Sequence, residues 1–325
     1  MHVLIVKLSS LGDVVHTMPV VHDILRAHPQ ARIDWVVEPG FASLVRRVHG
    51  VQRVIECPLR RWSRSWWRPD VWAECARFRR ALRAQRYDAV LDLQGLTKSA
   101  LIARLADGVR YGLGNRTDGA SFEAPARWLV DHPIVVQPHI HALDRARSVA
   151  ASALGYAVQG PPDFGLGCAR SVPGTPTLVF VHGTSRDDKL WPEADWIEFG
   201  RRVLASGWHV ALPHAGAIEL ARAQRIQAAL GACAQIWPAM DLAAMVDRLA
   251  STQGVVGVDS GLSHIAVALG LPHLQLYNWP TAWRTGPLRS HGHLQQRAIE
   301  GRPAPTVQAV WDAWCEVRGV APWAG

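Results

Sequence analysis

The chain has 325 residues, 49% hydrophobic and 19% charged, which specifies a folded protein long enough for two domains and excludes a disordered or fibrous chain. Five scattered cysteines, never spaced Cys-x-x-Cys, argue against a disulfide framework or zinc site and fit a reducing cytoplasm. The net charge of +8 is lopsided: residues 1–160 hold 22 Lys+Arg against 14 Asp+Glu, and residues 161–325 hold 13 of each, so an anionic partner is expected for the first half alone. The opening Met-His-Val-Leu-Ile-Val-Lys lacks the basic flank and apolar stretch of a signal peptide, and no apolar run reaches the roughly 18 residues of a membrane span.

Short β-branched runs alternate with amphipathic stretches, the pattern of βαβ units and parallel sheets. In the first half it predicts strands over 2–7, 32–37, 51–56 and 88–92, and helices near 14–27, 70–86, 96–106 and 141–154. Pro19 predicts a break in the first helical stretch. Residues 155–176, with Pro161, Pro162, Pro173, Pro176 and five glycines, read as a linker between domains 1–160 and 161–325. The second half predicts strands over 177–182, 208–213, 233–237, 254–258 and 273–277, with helices near 192–206, 217–230, 241–251 and 261–270. The fold class is α/β: two Rossmann-like, doubly wound domains facing across a cleft. Such sheets hold ligands beyond the carboxyl ends of their strands.

Four segments at those ends could carry chemistry. Strand 2–7 runs into Lys7-Leu8-Ser9-Ser10-Leu11-Gly12-Asp13, where Gly12 permits a tight turn. Asp13 is either a helix N-cap or a general base. The segment Arg60-Arg61-Trp62-Ser63-Arg64-Ser65-Trp66-Trp67-Arg68, if helical, gathers its arginines within about one quadrant with Trp62 and Trp66 opposite. That suits a nucleic acid, an anionic membrane or a phosphorylated amphiphile, or else a solvated basic helix with its tryptophans packed inward. Lys98 and the His139-Ile140-His141 segment with Arg145 are further basic or histidine-bearing candidates.

The loop His182-Gly-Thr-Ser-Arg-Asp-Asp-Lys-Leu-Trp-Pro192 leaves a buried strand for a helix start, where unpaired amides and the helix dipole favour an anion. Lys189 adds a full charge there; alternatively Arg186-Asp187-Asp188-Lys189 is a surface ion-pair set worth little. The fourth segment is Asp259-Ser260-Gly261-Leu262-Ser263-His264, which offers amides to a phosphate and a carboxylate to a sugar hydroxyl, or simply caps a helix. Lys7, Lys98 and Lys189 are the chain's three lysines among 35 cationic residues. Each lies in or beside a candidate loop, where a compact ammonium differs from a planar guanidinium.

Several motifs are missing: Gly-x-Gly-x-x-Gly after the first strand, a Walker loop, His-Glu-x-x-His, and a Gly-x-Ser-x-Gly elbow. No cofactor and no metal are expected. A phosphate-bearing ligand is to be neutralised by lysine, helix dipoles and amides.

These segments resemble the lipopolysaccharide heptosyltransferases of glycosyltransferase family 9. The resemblance rests on Val3–Lys7 with Ser9–Asp13, Asp34-Trp35-Val36-Val37-Glu38, Arg60-Arg61-Trp62, and Asp92-Leu93-Gln94-Gly95-Leu96 with Lys98-Ser99-Ala100. It continues through Arg186-Asp187-Asp188-Lys189 with Trp191-Pro192, and Asp259–His264, covering nearly all the chain to about residue 277. The Arg-Asp-Asp-Lys-x-Trp-Pro element places it nearer the first-heptose branch than the second.

The resemblance implies a GT-B glycosyltransferase, metal-independent and inverting. Its second domain would bind ADP-heptose and its first a Kdo-lipid A acceptor at an anionic membrane surface. Asp13 would be the catalytic base and Lys189 the cation that neutralises the departing diphosphate. Thr184, Ser185, Glu219, Met240, Asp259, Ser260, Gly261, Leu262 and His264 would surround the donor. Ser10, Gly12, Arg60, Arg61, Arg64, Lys98, His141 and Arg145 would serve the acceptor. The expected setting is cytoplasmic, peripheral on the inner face of the inner membrane, as a monomer with no nucleic-acid partner. Two departures stand out: Ser260 in place of threonine, and Tyr277-Asn278-Trp279-Pro280-Thr281 in place of Tyr-Gly-Pro-Thr, which leaves that segment's donor contacts open. Three rivals remain: the second-heptose enzyme, a nucleotide-sugar epimerase on the same scaffold, and a basic membrane- or nucleic-acid-binding protein built on residues 59–72.

Overall fold

The computed structural model describes residues 1–171 and 174–319. Pro173 of the expected linker and residues 320–325 of the expected second domain lie outside them. The chain divides into two compact units, Met1–Gly167 and Cys168–Gly325.

The first unit is a six-stranded parallel sheet in the order β3-β2-β1-β4-β5-β6. Its strands are β1 (His2–Val6), β2 (Arg32–Val37), β3 (Val51–Glu56), β4 (Arg86–Asp92), β5 (Asp107–Leu113) and β6 (His132–Ile134). Val3 to Val6 are fully buried in the central strand, the continuous apolar run that a parallel strand covered on both faces requires. Its helices are α1 (Leu11–Thr17), α2 (Pro19–Ala27), α3 (Pro39–Val45), α4 (Leu59–Arg64), α5 (Pro69–Arg83), α6 (Thr97–Leu105) and α7 (Ala142–Leu154). The break falls where Pro19 predicts it, because proline cannot donate the bond that would continue α1. Phe78 and Leu82 of α5 and Ile102 of α6 pack on Leu4, Val6, Val36 and Val90 of the sheet. On α7, the buried Arg147 grips Asp23 of α2 through two bonds of 2.6 and 2.8 Å.

The second unit repeats the topology, with β12-β11-β10-β7-β8-β9 as its strand order. The strands are β7 (Thr177–Val181), β8 (His209–Leu212), β9 (Ala234–Ile236), β10 (Gly254–Val258), β11 (His273–Tyr277) and β12 (Gln296–Glu300). Helices α8 (Glu193–Ala205), α9 (Ala217–Leu230), α10 (Leu242–Ala250), α11 (Gly261–Ala268), α12 (Ala282–Thr285) and α13 (Val307–Arg318) complete it. Trp196, Phe199 and Val203, spaced i, i+3, i+7 on α8, form one apolar stripe in the core. Trp191 joins them as an anchor, its ring edge-on to Trp196 at 4.9 Å and its Nε1 donating to the Pro305 carbonyl.

Strands β5, β6 and β12 and helices α3, α12 and α13 go beyond the elements expected from sequence. β5 carries two glycines and two charges, β6 is three residues with a proline, and β12 holds Arg297 and Glu300, so none shows an apolar run. β6 and β12 are edge strands, which keep such polarity because only one side is paired, whereas β5 is paired on both sides, by β4 and the short β6. Residues 161–167 also differ from a free linker. The Arg47 carbonyl accepts from Gly167 at 2.8 Å and the Gly165 carbonyl from His49 at 2.9 Å, which packs this stretch on the first unit.

Candidate active site

In each unit the strand order reverses beside the first strand, and the loops flanking that switch point are where a doubly wound sheet opens to a ligand. In the first unit these loops follow β1 and β4; in the second they follow β7 and β10. Asp13, Lys98, Lys189 and Asp259 lie in or just after those four loops, whereas Arg60, Arg61 and Arg64 follow β3, Arg145 is on α7, Glu219 is on α9 and Met240 follows β9.

After β1, the chain is held by a side chain from the loop after β4. Gln94 Oε1 accepts from Leu8 N at 2.8 Å and Ser9 N at 3.3 Å, while its Nε2 donates to Ser9 O at 2.6 Å. Helix α1 then starts with Ser10 as its N-cap, which corrects the capping alternative for Asp13. Asp13 is the third helical residue and reaches back, its Oδ2 accepting from Ser10 N at 3.2 Å and Ser10 Oγ at 2.9 Å. Its Oδ1 faces Lys7 Nζ at 3.6 Å, with the Lys7 side chain 4% exposed and that of Asp13 38% exposed. Lys7 also donates to the Leu93 carbonyl at 3.0 Å.

Burial pushes the Asp13 carboxyl upward. The Lys7 ammonium and the two Ser10 bonds outweigh it, so the group sits below the usual carboxylate range. Burial pushes Lys7 down against the pull of Asp13. The outcome is an accessible carboxylate, ionised at neutral pH and oriented by two donors and one cation, suited to receive a proton from a hydroxyl. Behind it, buried Asp92 accepts from Gln94 N, Gly95 N and Ser99 Oγ, and burial raises its carboxyl to about 6. Arg145 stands near enough for its charge to act on both Lys7 and Asp13, and its Nη1 donates to Thr117 Oγ1 at 2.9 Å.

The other first-unit candidates are less closely gathered. Gly12 is the second residue of α1, directly before Asp13. His141 is buried and caps α7, its Nδ1 accepting from Leu143 N at 3.2 Å, so its role is structural at that nitrogen. Lys98 is exposed on the first turn of α6. Nearby, a cavity of about 400 Å³ is lined by Leu96, Arg116, Thr117, Asp118, Phe122 and Glu123. Arg60, Arg61 and Arg64 lie on α4, and Arg61 pairs with Glu74.

The helix expected over 60–68 ends at Arg64, which separates Trp62 from Trp66 and Trp67. Trp62 turns into the core, edge-on to Phe78 with its Nε1 on Glu74 at 3.0 Å, whereas Trp66 stays exposed. A cavity of about 620 Å³ beside α4 is bounded by Arg53, Ile55, Arg61, Trp62, Arg77 and Phe78.

In the second unit, β7 and β10 are hydrogen-bonded neighbours, so the loops leaving them meet. Lys189 Nζ donates to Asp259 Oδ2 at 2.6 Å, and Asp259 Oδ1 faces His264 Nε2 at 3.3 Å. Burial alone would raise the Asp259 carboxyl; His264 and Lys189 reverse that and hold it far below the ordinary range. Thr184 Oγ1 donates to the Asp259 carbonyl at 3.1 Å, which ties the two loops directly. Helix α11 begins at Gly261 with Ser260 as N-cap, and the first amides of an eight-residue helix are unpaired within it.

Two glycines make these approaches possible. A Cβ on Gly257 would lie 2.4 Å from Ser263 Oγ, and one on Gly183 would lie 2.3 Å from Glu219 Oε1. Glu219 thus sits against the β7 loop while its Oε2 accepts from Ala215 N at 2.7 Å. Ser185 stands in the exposed part of that loop, Leu262 is in the first turn of α11, and half-buried Met240 precedes α10 on the strand-end side of β9.

Asn278, part of the unfamiliar segment after β11, has a definite structural task. Its Nδ2 donates to the Asp188 and Leu190 carbonyls at 2.8 and 2.9 Å, fixing the turn that carries Lys189. Gln94, Asp92, Lys7 and Asn278 were not among the expected site residues. Lys7 had a visible signal in the rarity of lysine, and Asp92 and Gln94 lay in a segment that carries the resemblance; Gln94 and Asn278 act on backbone distant in sequence, which spacing does not reveal.

The architecture is that of the GT-B enzymes, and the comparisons agree. The family model for glycosyltransferase family 9 (heptosyltransferase) matches residues 75–303. Lipopolysaccharide heptosyltransferase 1 of Salmonella typhimurium is 40% identical over 287 residues, covering 85% of this chain and 88% of that protein. The structure of E. coli heptosyltransferase WaaC with ADP superposes with a TM-score of 0.87 at 35% identity, over 98% of this chain and 100% of that one. WaaC with ADP-2-deoxy-2-fluoro heptose gives 0.82 at 36% identity, over 95% and 98%. The chain is therefore an enzyme and belongs to glycosyltransferase family 9, the heptosyltransferases.

Proposed function

We propose that this enzyme moves L-glycero-D-manno-heptose from ADP-heptose to the Kdo of a Kdo-lipid A acceptor, adding the first heptose of the lipopolysaccharide inner core with inversion. The observation that carries the reading is the 40% identity, across most of both chains, to a lipopolysaccharide heptosyltransferase 1. The first unit serves the acceptor and the second the donor.

Asp13 takes the proton of the Kdo hydroxyl as its oxygen attacks the anomeric carbon. The bond from that carbon to ADP breaks, and the departing diphosphate takes up the electron pair against Lys189 and the first amides of α11. Asp259, braced by His264, accepts heptose hydroxyls, with Thr184, Ser185, Ser260, Gly261 and Leu262 around the diphosphate. Glu219 and Met240 take ribose and adenine. Ser10 and Gly12 shape the acceptor side, and Arg60, Arg61, Arg64, Lys98 and Arg145 match its anionic groups, with His141 holding the start of α7. No metal takes part, and the enzyme works as a monomer on the cytoplasmic face of the inner membrane. Its excess positive charge, confined to the first 160 residues, fits that setting.

The test is ADP release from ADP-heptose with and without Kdo-lipid A. Release that needs the acceptor and falls at least about a hundredfold in Asp13→Asn, with donor binding retained, supports the reading. Consumption of the donor without any acceptor would assign the chain to an epimerase instead.

A further inference from the structure

Three large indoles on the first unit stand in water for no reason internal to the fold. Trp66, Trp67 and Trp72 are 64%, 65% and 63% exposed, at the knuckle between α4 and α5 and on the first turn of α5. Isolated exposed apolar residues are ordinary; three tryptophans within seven positions are not. Trp66 and Trp67 meet edge-on at 6.4 Å, so they form one apolar prominence.

The charge around them is equally uneven. Residues 59–83 contain eight arginines and two acids, Asp70 and Glu74. Both acids are already paired, with Arg68 and Arg61. On α5 the buried Val71, Phe78 and Leu82 mark the inner face. Positions 72, 76, 79, 80 and 83 fall together on another, within about 100° at helical spacing. Trp72 therefore heads an exposed stripe that continues into Arg79 and Arg80, both exposed. Indoles beside guanidinium groups is the chemistry of a bilayer interface: the indole sits at the headgroup level and the arginines meet anionic phosphates.

We infer that the α4–α5 knuckle is a membrane-docking surface. Trp66, Trp67 and Trp72 enter the headgroup region of an anionic bilayer, and Arg64, Arg79 and Arg80 bind its lipid phosphates. The inference deepens the proposal of a lipid-borne acceptor by naming the face that meets the lipid, and it rests on that reading. The occupant is the bilayer itself, so docking requires no acceptor in the membrane.

The experiment is co-sedimentation of the full chain with acceptor-free vesicles of phosphatidylcholine, with and without phosphatidylglycerol, read together with quenching of tryptophan emission by bromolipids. Wild type is expected to partition onto the anionic vesicles, to be quenched there, and to be released by high salt. Trp66→Ser/Trp67→Ser/Trp72→Ser should lower the partition coefficient at least about tenfold and lose the quenching. Its turnover of a deacylated, water-soluble acceptor should stay at the wild-type level. Wild type that remains in the supernatant overturns the inference, as does a triple variant that partitions and is quenched like wild type. Binding to a polynucleotide with none to vesicles overturns it in favour of a nucleic-acid surface. Normal vesicle binding by a protein that transfers no heptose would sink the proposed function and leave the docking face standing.

Discussion

Lys189 Nζ lies 2.6 Å from Asp259 Oδ2, so the one lysine of the second unit is charge-balanced by the carboxylate proposed to hold the sugar. A diphosphate reaching the start of α11 would compete for that ammonium, which can serve either anion with a small movement of a flexible stem. Lys189→Met removes the cation and leaves Asp259 facing His264 alone. Turnover should fall about 10²–10³-fold, as when a fixed donor to a developing anion is lost, and calorimetry should show weaker ADP binding. Lys189→Arg should recover only part of this, because a planar fork does not fill the place of a point charge. EDTA should leave wild-type turnover unchanged. A strict divalent-cation requirement would replace lysine in this role.

The Lys7–Asp13 pair gives a pH prediction with a definite sign. Burial raises the Asp13 carboxyl; Lys7 and Ser10 bring it below its ordinary value, and Arg145 adds to their effect. The base is therefore ionised down to acidic pH. In Lys7→Met the lowering charge is gone and the carboxyl must rise, so the acid limb of kcat/KM moves to higher pH while the alkaline limb stays. Turnover should fall most on the acid side and recover as the pH is raised. A purely structural role for Lys7 would lower activity equally at every pH, and that flat loss would remove it as a positioning residue for Asp13.

The same two pairs show how far sequence carries the reading. The loops bearing Lys7, Asp13, Lys189 and Asp259 were legible because buried strands announce themselves as apolar runs and each of these loops follows one directly. That β7 and β10 are neighbours follows from a doubly wound sheet, so the meeting of Lys189 with Asp259 could be anticipated. What holds these residues in place was not legible. Gln94 clamps a loop some 85 positions away and Asn278 one 88 to 90 away; each does so through a single amide that looks like any polar loop residue. The basic segment was misjudged for a local reason: the helix stops at Arg64, so the turn carries Trp66 outward while Trp62 goes to the core.

Arg60, Arg61 and Arg64 put three guanidinium groups on the first unit's α4, and Glu74 balances the one on Arg61. Changed together to alanine, they should raise the KM for Kdo-lipid A by about tenfold or more with kcat and ADP-heptose affinity nearly unaltered, the pattern of lost uniform binding. The reverse pattern, a donor defect with a normal acceptor KM, would move α4 to the nucleotide-sugar side.

Arg147 and Asp23 form the most enclosed ion pair of the first unit, each side chain 3% exposed and joined by two bonds. The pair fastens α7 to α2, and α7 also carries Arg145, whose position beside Lys7 depends on that seating. Asp23→Asn keeps the shape but strands a guanidinium in a dry site, a loss of about 3–5 kcal/mol in unfolding free energy. Denaturant unfolding should show the midpoint falling with an unchanged slope. Replacing both partners by apolar residues of similar volume should restore most of the stability, since the cost lies in the unpaired charge rather than in the missing bridge. Asp23→Asn within about 1 kcal/mol of wild type would mean that water reaches Arg147 in solution, and that the seating of α7 rests on its apolar face alone.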